Sequence, residues 1–190
     1  MKPAAIILTA GESRRMGSPK ALLPFRDGTF LSVLARTMGT YCDPVIAVFG
    51  HDAARLMALA PPDVRPVGNP QYLKGMLTSL QTGLASLDAD TILFTLVDHP
   101  AVQPSTVEAL LRSKAPIAIP RCDGKRGHPV LIRRSIAAEF LLEPETAQVR
   151  DVINRHADIE YIEVQDPGIR DDIDDPQLYQ ELLKREAVRS

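Results

Sequence analysis

Chemistry-bearing residues fall in three widely separated places. The stretch LTAGESRRMGSPKALLPF, residues 8 to 25, packs glycines and the cations Arg14, Arg15 and Lys20 directly behind the apolar run AAIIL. Glycines let backbone N–H groups close on an anion, arginine offers a fixed fork of donors, and lysine adds a mobile point charge. Carboxylates stand far downstream: Asp98 in TILFTLVDHP, then Asp172, Asp174 and Asp175 in RDDIDDPQLY. Carboxylate oxygens suit a hard divalent cation, and a cation beside a cationic loop suits a polyphosphate.

Each stretch also has a plainer explanation. The first is equally a charged surface turn. Asp98 serves as well as a turn or helix-capping residue before PSTVEAL, with His99 either facing a substrate or serving the turn. The acidic run serves as the negative cap of a last helix, although alternation in extended chain places Asp172 and Asp174 on one face and Asp175 on the other. Two phosphate motifs are excluded: GESRRMG is not GxGxxG, and GSPKAL is not GxxxxGK[ST]. A dinucleotide-dependent dehydrogenase and an ordinary P-loop ATPase lose most of their support.

Two further segments have binding chemistry. NPQYLKGMLTSLQTGL, residues 69 to 84, passes from a turn into a helix; Gly75 admits a flat group near the backbone, and Ser79 can donate or accept. Its leucines are explained by an amphipathic core helix, which leaves Asn69, Gly75 and Ser79 unexplained. RCDGKRGHPVLI, residues 121 to 132, is a glycine-broken basic segment; Arg126 and His128 are candidates for an anionic acceptor, and a simple hairpin turn accounts for it equally.

Positioning these residues requires a sheet. AAIIL (4–8), VIAVF (45–49) and TILFTL (91–96) are nearly continuous apolar runs, the pattern of parallel strands covered on both faces. VRPV (64–67), PIAI (116–119), PVLI (129–132) and IEYIEV (159–164) extend the set. Helical patterns over 29–39, 52–60, 75–87, 104–113, 135–142, 147–156 and 175–188 alternate with them, which predicts an α/β fold. The sheet's carboxyl edge is where such folds bind ligands, so the first loop and Asp98 are expected in one crevice.

With 190 residues, 45% hydrophobic, the chain can bury one substantial core, and residues 1–190 are expected to form a single domain. Twenty-two cationic against 24 acidic side chains give a net charge of −2, so no overall field favours nucleic acid or an anionic membrane. Cys42 and Cys122 have no ligand-like spacing, and the four histidines form no zinc motif. With neither a signal-peptide pattern nor an apolar run near 18 residues, a soluble cytoplasmic protein is expected.

The pattern Ala10-Gly11-x-Ser13-x-Arg15-Met16-Gly17-x-x-Lys20, followed by Leu22-Leu23-Pro24, resembles the signature of the MobA-like NTP transferases, the molybdenum cofactor cytidylyl- and guanylyltransferases. The resemblance implies a single-domain three-layer α/β/α Rossmann-like nucleotidyltransferase fold with a mostly parallel central sheet. It also implies NMP transfer from an NTP with Mg²⁺, releasing pyrophosphate. Thr9, Ala10 and Gly11 would cradle the nucleotide, Arg15 would contact the leaving phosphates and Lys20 would clamp the α-phosphate; Asn69, Gly75 and Ser79 would lie by the base. Asp98 and Asp174 would hold the metal, with Asp172 a weaker candidate. The acidic run resembles a DIDTP element in which Asp175 replaces threonine. Residues 124–130 resemble a GxRGHPV element, so the region from about 120 onward, with Arg126 and His128, would frame the acceptor. Guanylyl-transferring relatives tend to carry a second glycine where this chain has Ala10, which makes CTP the expected nucleotide and molybdopterin or molybdenum cofactor the expected acceptor. Transient contact with a molybdoenzyme or its delivery factor follows as a partner expectation. A sugar-phosphate nucleotidyltransferase and a non-catalytic nucleotide-binding or delivery module remain alternatives.

Overall fold

The structure, a computed structural model, describes residues 2–11 and 15–188. Ser13 and Arg14 of the cationic stretch lie outside the described residues.

Strand β1 (Ala4–Leu8) leads through the cationic loop to a small hairpin, β2 (Pro24–Phe25) and β3 (Gly28–Thr29), and then to helix α1 (Phe30–Gly39). There follow β4 (Val45–Phe49), α2 (Ala53–Ala58), β5 (Val64–Gly68), α3 (Met76–Ala85), β6 (Thr91–Leu96) and α4 (Pro104–Leu111). The second half comprises β7 (Ile117–Cys122), β8 (Lys125–Arg126), β9 (Val130–Arg133), α5 (Arg134–Leu142), α6 (Val149–Asn154), β10 (Ile159–Glu163) and α7 (Pro176–Ala187).

The sheet order is β10-β7-β9-β6-β1-β4-β5, with β8 paired to β7. Strands β6, β1, β4 and β5 run parallel, whereas β9 is antiparallel to both β6 and β7. The sheet is thus mostly parallel, with an antiparallel insertion supplied by the irregular second half. Alternation along the strands explains the layers: Ala5, Ile7 and Ala47 face a core shared with α1, α4 and α7. Ala4, Ile6, Leu8, Ile46 and Val48 face the other core, under α3, α5 and α6. That is the three-layer α/β/α arrangement of the expectation.

Local chemistry fixes the ends of the elements. Thr29 and Ser32 form a reciprocal capping box at the start of α1, and Pro104 occupies the first turn of α4. Asp166, almost fully buried, accepts from Gln103 N and Thr106 Oγ1 and from Gly168 N, tying the start of α4 to the segment after β10. At Gly83 a Cβ would stand 2.8 Å from Ile6 Cγ2, so glycine lets α3 press onto β1. The expected helices over 52–60, 104–113 and 147–156 are shorter than their apolar patterns, because their ends turn into loops before the pattern stops.

Candidate functional site

The chain leaves β1 on one side toward β4 and reaches β6 on the other side only later, so the crevice opens between the carboxyl ends of β1 and β6. Val97 N–H donates to Leu8 O at 3.1 Å, joining the two outlets, and Ile173 N–H donates to Asp98 O at 3.2 Å, drawing in the acidic segment. Helix α7 secures that segment from the other end. Asp175 caps it by accepting from Leu178 N at 2.9 Å, and Tyr179 Oη donates to Pro24 O at 2.6 Å on the hairpin. Residues more than 150 positions apart thereby meet, and Asp175 supplies the capping oxygen that a threonine would supply in its place.

Lys20 begins a 3-10 turn, Lys20–Leu22, and its ammonium donates to Asp98 Oδ2 at 2.9 Å and to Asp174 Oδ1. Arg15 donates to Asp174 Oδ2 at 2.7 Å from an exposed position. Asp98, Asp172 and Asp174 each present a carboxylate oxygen, all within 4.8 Å of one another. Three hard oxygens converging beside a lysine fit a divalent cation such as Mg²⁺.

Electrostatics follow from this crowding. Burial alone would raise the Asp98 pKa, but the His99 imidazole, 2.9 Å from Asp98 Oδ1, and the Lys20 ammonium outweigh it and hold the carboxyl at about 2. Burial would lower the Lys20 pKa, yet the Asp98 charge and the bond to Asp174 leave it above its ordinary 10.5. Asp172 is raised, first by burial and then by its two acidic neighbours. Asp98 is therefore a permanent anion and Lys20 a permanent cation at neutral pH.

Two cavities flank the carboxylates. The first, about 550 Å³, is lined by Thr9, Ala10, Gly11, Arg15 and Lys20 from the cationic side and by Tyr72, Gly75, Met76 and Ser79 from the start of α3, with Asp98 and Asp174 at its end. Thr9 spends its hydroxyl inside the protein, donating to Val48 O at 2.8 Å. Gly75 has φ 120° and no atom within 4 Å of where a Cβ would stand, so conformation rather than space demands glycine. Asn69 is buried and does not line the cavity; it lies behind Ser79 and bonds to it.

The second cavity, about 560 Å³, shares Met76 and Leu96 with the first and has Asp172 on its wall. Phe94, Ile119, Val130 and Ile169 give it an apolar lining, and Lys125, Arg126, Arg150 and Arg170 supply cations. His128 packs edge-on to His99, ring centroids 4.7 Å apart. Burial, then the neighbouring His99, pushes His128 down to about 3, and its Nδ1 is sealed from water without a partner. Gly127 is required sterically, since a Cβ there would lie 2.1 Å from Ile169 O.

The crevice thus collects Thr9, Ala10, Gly11, Arg15, Lys20, Gly75, Ser79, Asp98 and Asp174 in one cavity and places Arg126 and His128 in the next. Tyr72 and the second-cavity cations Arg150 and Arg170 were not singled out from sequence. An aromatic four residues before α3 and isolated arginines carry no periodic signal.

Such a crevice on such a sheet suits a nucleotidyltransferase, and the family match shows that class. Residues 5–159 match the MobA-like NTP transferase domain, and the chain belongs to that family. It is 27% identical to the molybdenum cofactor cytidylyltransferase of Escherichia coli K12 over 90% of each chain. It is also 27% identical to a molybdenum cofactor guanylyltransferase of Mesorhizobium japonicum, covering 87% of this chain and 86% of that one. A nicotine blue oxidoreductase of Paenarthrobacter nicotinovorans is 36% identical over 67% of this chain and 69% of its own. Among solved structures, Rv0371c of Mycobacterium tuberculosis H37Rv superimposes with a TM-score of 0.80 at 28% identity, covering 97% and 98% of the two chains. That protein has also been solved in complex with manganese.

Proposed function

We propose that the protein transfers CMP from CTP to the phosphate of molybdopterin or molybdenum cofactor and releases pyrophosphate. The observation that supports this reading is the pair of cavities meeting at one carboxylate cluster, an arrangement with room for a nucleotide on one side and an acceptor on the other. Relatives named for molybdenum cofactor cytidylyl and guanylyl transfer support the acceptor class, and Ala10 supports CTP. The apolar lining of the second cavity suits a ring system, and its cations suit a phosphate.

In this mechanism an acceptor phosphate oxygen attacks the α-phosphorus in line. The bond from that phosphorus to the oxygen bridging to the β-phosphate breaks, and pyrophosphate leaves with the electron pair. A phosphate dianion is already a nucleophile, so orientation and charge neutralisation supply the rate. The backbone at Ala10 and Gly11 holds the polyphosphate, Arg15 neutralises the departing phosphates, and Lys20 turns to the α-phosphate. Asp98 and Asp174, with Asp172 beside them, would hold Mg²⁺, which supplies Lewis-acid neutralisation of phosphate oxygens when bound. Arg126 and His128 orient the acceptor, His128 as a neutral ring.

The whole chain acts as one domain, with the part from about residue 120 forming the acceptor wall. Cytoplasmic action and brief contact with a molybdoenzyme or delivery factor complete the reading. No helix among the described residues is long and apolar enough to cross a membrane.

Pyrophosphate release and nucleotidyl product should be measured with each of four NTPs against molybdopterin, molybdenum cofactor and sugar phosphates. CTP with the pterin is expected to dominate. Turnover with sugar phosphates alone would favour that acceptor class, and nucleotide binding without product would favour a delivery module. Oxidation of a reduced nicotinamide cofactor by an added dye, with no pyrophosphate formed, would favour the activity named for the Paenarthrobacter relative.

A further inference from the structure

The polarity of one hydroxyl in the nucleotide cavity is dictated by residues behind it. Gln71 N–H donates to Asn69 Oδ1 at 2.9 Å, which fixes the amide with its oxygen toward Gln71. The amide nitrogen then donates to Thr78 Oγ1 and Ser79 Oγ, each at 3.0 Å. Thr78 sends its own proton to Gly75 O at 2.9 Å or Gln71 O at 3.1 Å, so it too accepts from Asn69. Both amide protons are committed. Ser79 therefore uses a lone pair on Asn69 and keeps its proton for another acceptor, and it lines the nucleotide cavity. Next to it, α3 starts at Gly75 with no side chain capping its first N–H groups. This wall is rich in donors.

We infer that Asn69 is a positioning residue that fixes Ser79 as a hydrogen-bond donor to the nucleobase, so that the wall selects an acceptor-bearing base edge. Cytosine presents adjacent acceptors at O2 and N3, whereas guanine presents donors at N1 and N2 beside O6. The inference rests on the nucleotide reading given above and supplies a physical basis for its preference for CTP.

Asn69→Asp is the polarity-inverting variant: its carboxylate still accepts from Gln71 N–H but also accepts the Ser79 proton, turning it away from the cavity. Calorimetry with CTP and GTP on wild type, Asn69→Asp, Ser79→Ala and the double variant tests this. Asn69→Asp should weaken CTP binding about tenfold, the scale of one mispaired buried hydrogen bond. In the Ser79→Ala background it should add nothing. Binding of inorganic tripolyphosphate, which has no base, should not change. Multiplying effects in the double variant, or equal losses for tripolyphosphate and CTP, would overturn the inference. If Asn69→Asp does not fold, Ser79→Ala decides: a collapsed preference for CTP over GTP supports the donor role and an unchanged preference refutes it. Wild-type protein that binds no NTP sinks the nucleotide reading as well; CTP binding with an additive cycle sinks only the role of Asn69.

Discussion

Lys20 sits between two carboxylates, with only a small part of its side chain exposed, so its removal has two consequences that differ in their dependence on metal. Three acidic groups within 4.8 Å lose their shared cation, and stranding a partly buried charge cluster costs on the order of 3 kcal/mol. Lys20→Ala should melt several degrees below wild type in chelator and regain part of that difference in millimolar Mg²⁺. Turnover should fall by about 100-fold or more even with Mg²⁺ present, because the metal replaces the charge between the carboxylates and not the group at the α-phosphate. Equal melting temperatures in chelator, measured by calorimetry, would show that the ion pairs contribute nothing. Asp98→Asn should lose turnover to a similar extent, and its expected signature is a loss of heat in a Mn²⁺ titration.

At the scale of elements, the site depends on how closely α3 lies on the sheet. Gly83 faces Ile6 and Val48 from the last turn of α3, and even an alanine Cβ at 2.8 Å forces a shift. Gly83→Val should therefore destabilise the fold by about 1–3 kcal/mol, the usual range for overpacking, and move Ser79, one turn away. Denaturant unfolding checks the first effect, and a raised KM for the nucleotide with little change in kcat checks the second. Gly127→Ala is the counterpart on the acceptor side. Its Cβ meets backbone Ile169 O, which cannot rotate away, so KM for the acceptor should rise while nucleotide affinity holds. A variant affecting both substrates equally would mean that the two cavities are mechanically coupled.

For the whole molecule, stability against acid should report on the second cavity, where His128 is buried. His128 is held at about 3 against an ordinary 6.5, so the unfolded chain binds a proton that the folded chain refuses between those values. Its contribution is full above about pH 6.5 and is lost as pH falls toward 3, at up to about 1.4 kcal/mol per pH unit. Asp98 is depressed from 3.8 to about 2, so its contribution is present above 3.8 and fades only below that, outside most of the His128 window. Urea titrations in chelator between pH 7 and 4 should show falling stability in wild type and a shallower fall in His128→Asn. Parallel slopes would remove His128 as the cause.

Sequence by itself determined what local pattern and composition can encode. Continuous apolar runs announced the buried strands, Pro104 announced the start of α4, and the spacing from Ala10 to Pro24 carried the family resemblance. The β2–β3 hairpin escaped notice because so few residues carry no period, whereas the hairpin-turn reading of residues 121–132 holds in the β7–β8 pairing. Only the tertiary structure decided which alternatives applied. Nothing in RDDIDDPQLY distinguishes a helix cap from a cation site, and the folded chain uses Asp175 for the former while presenting Asp172 and Asp174 beside Asp98. Asn69 had the right type to touch a base, yet it was placed behind Ser79, where it sets the direction of a neighbour's proton. The reason is common to both cases. A side chain's type fixes which bonds it can make, but which of them it makes depends on partners that arrive from distant chain, here through α7 docking on the hairpin and α3 pressing on β1.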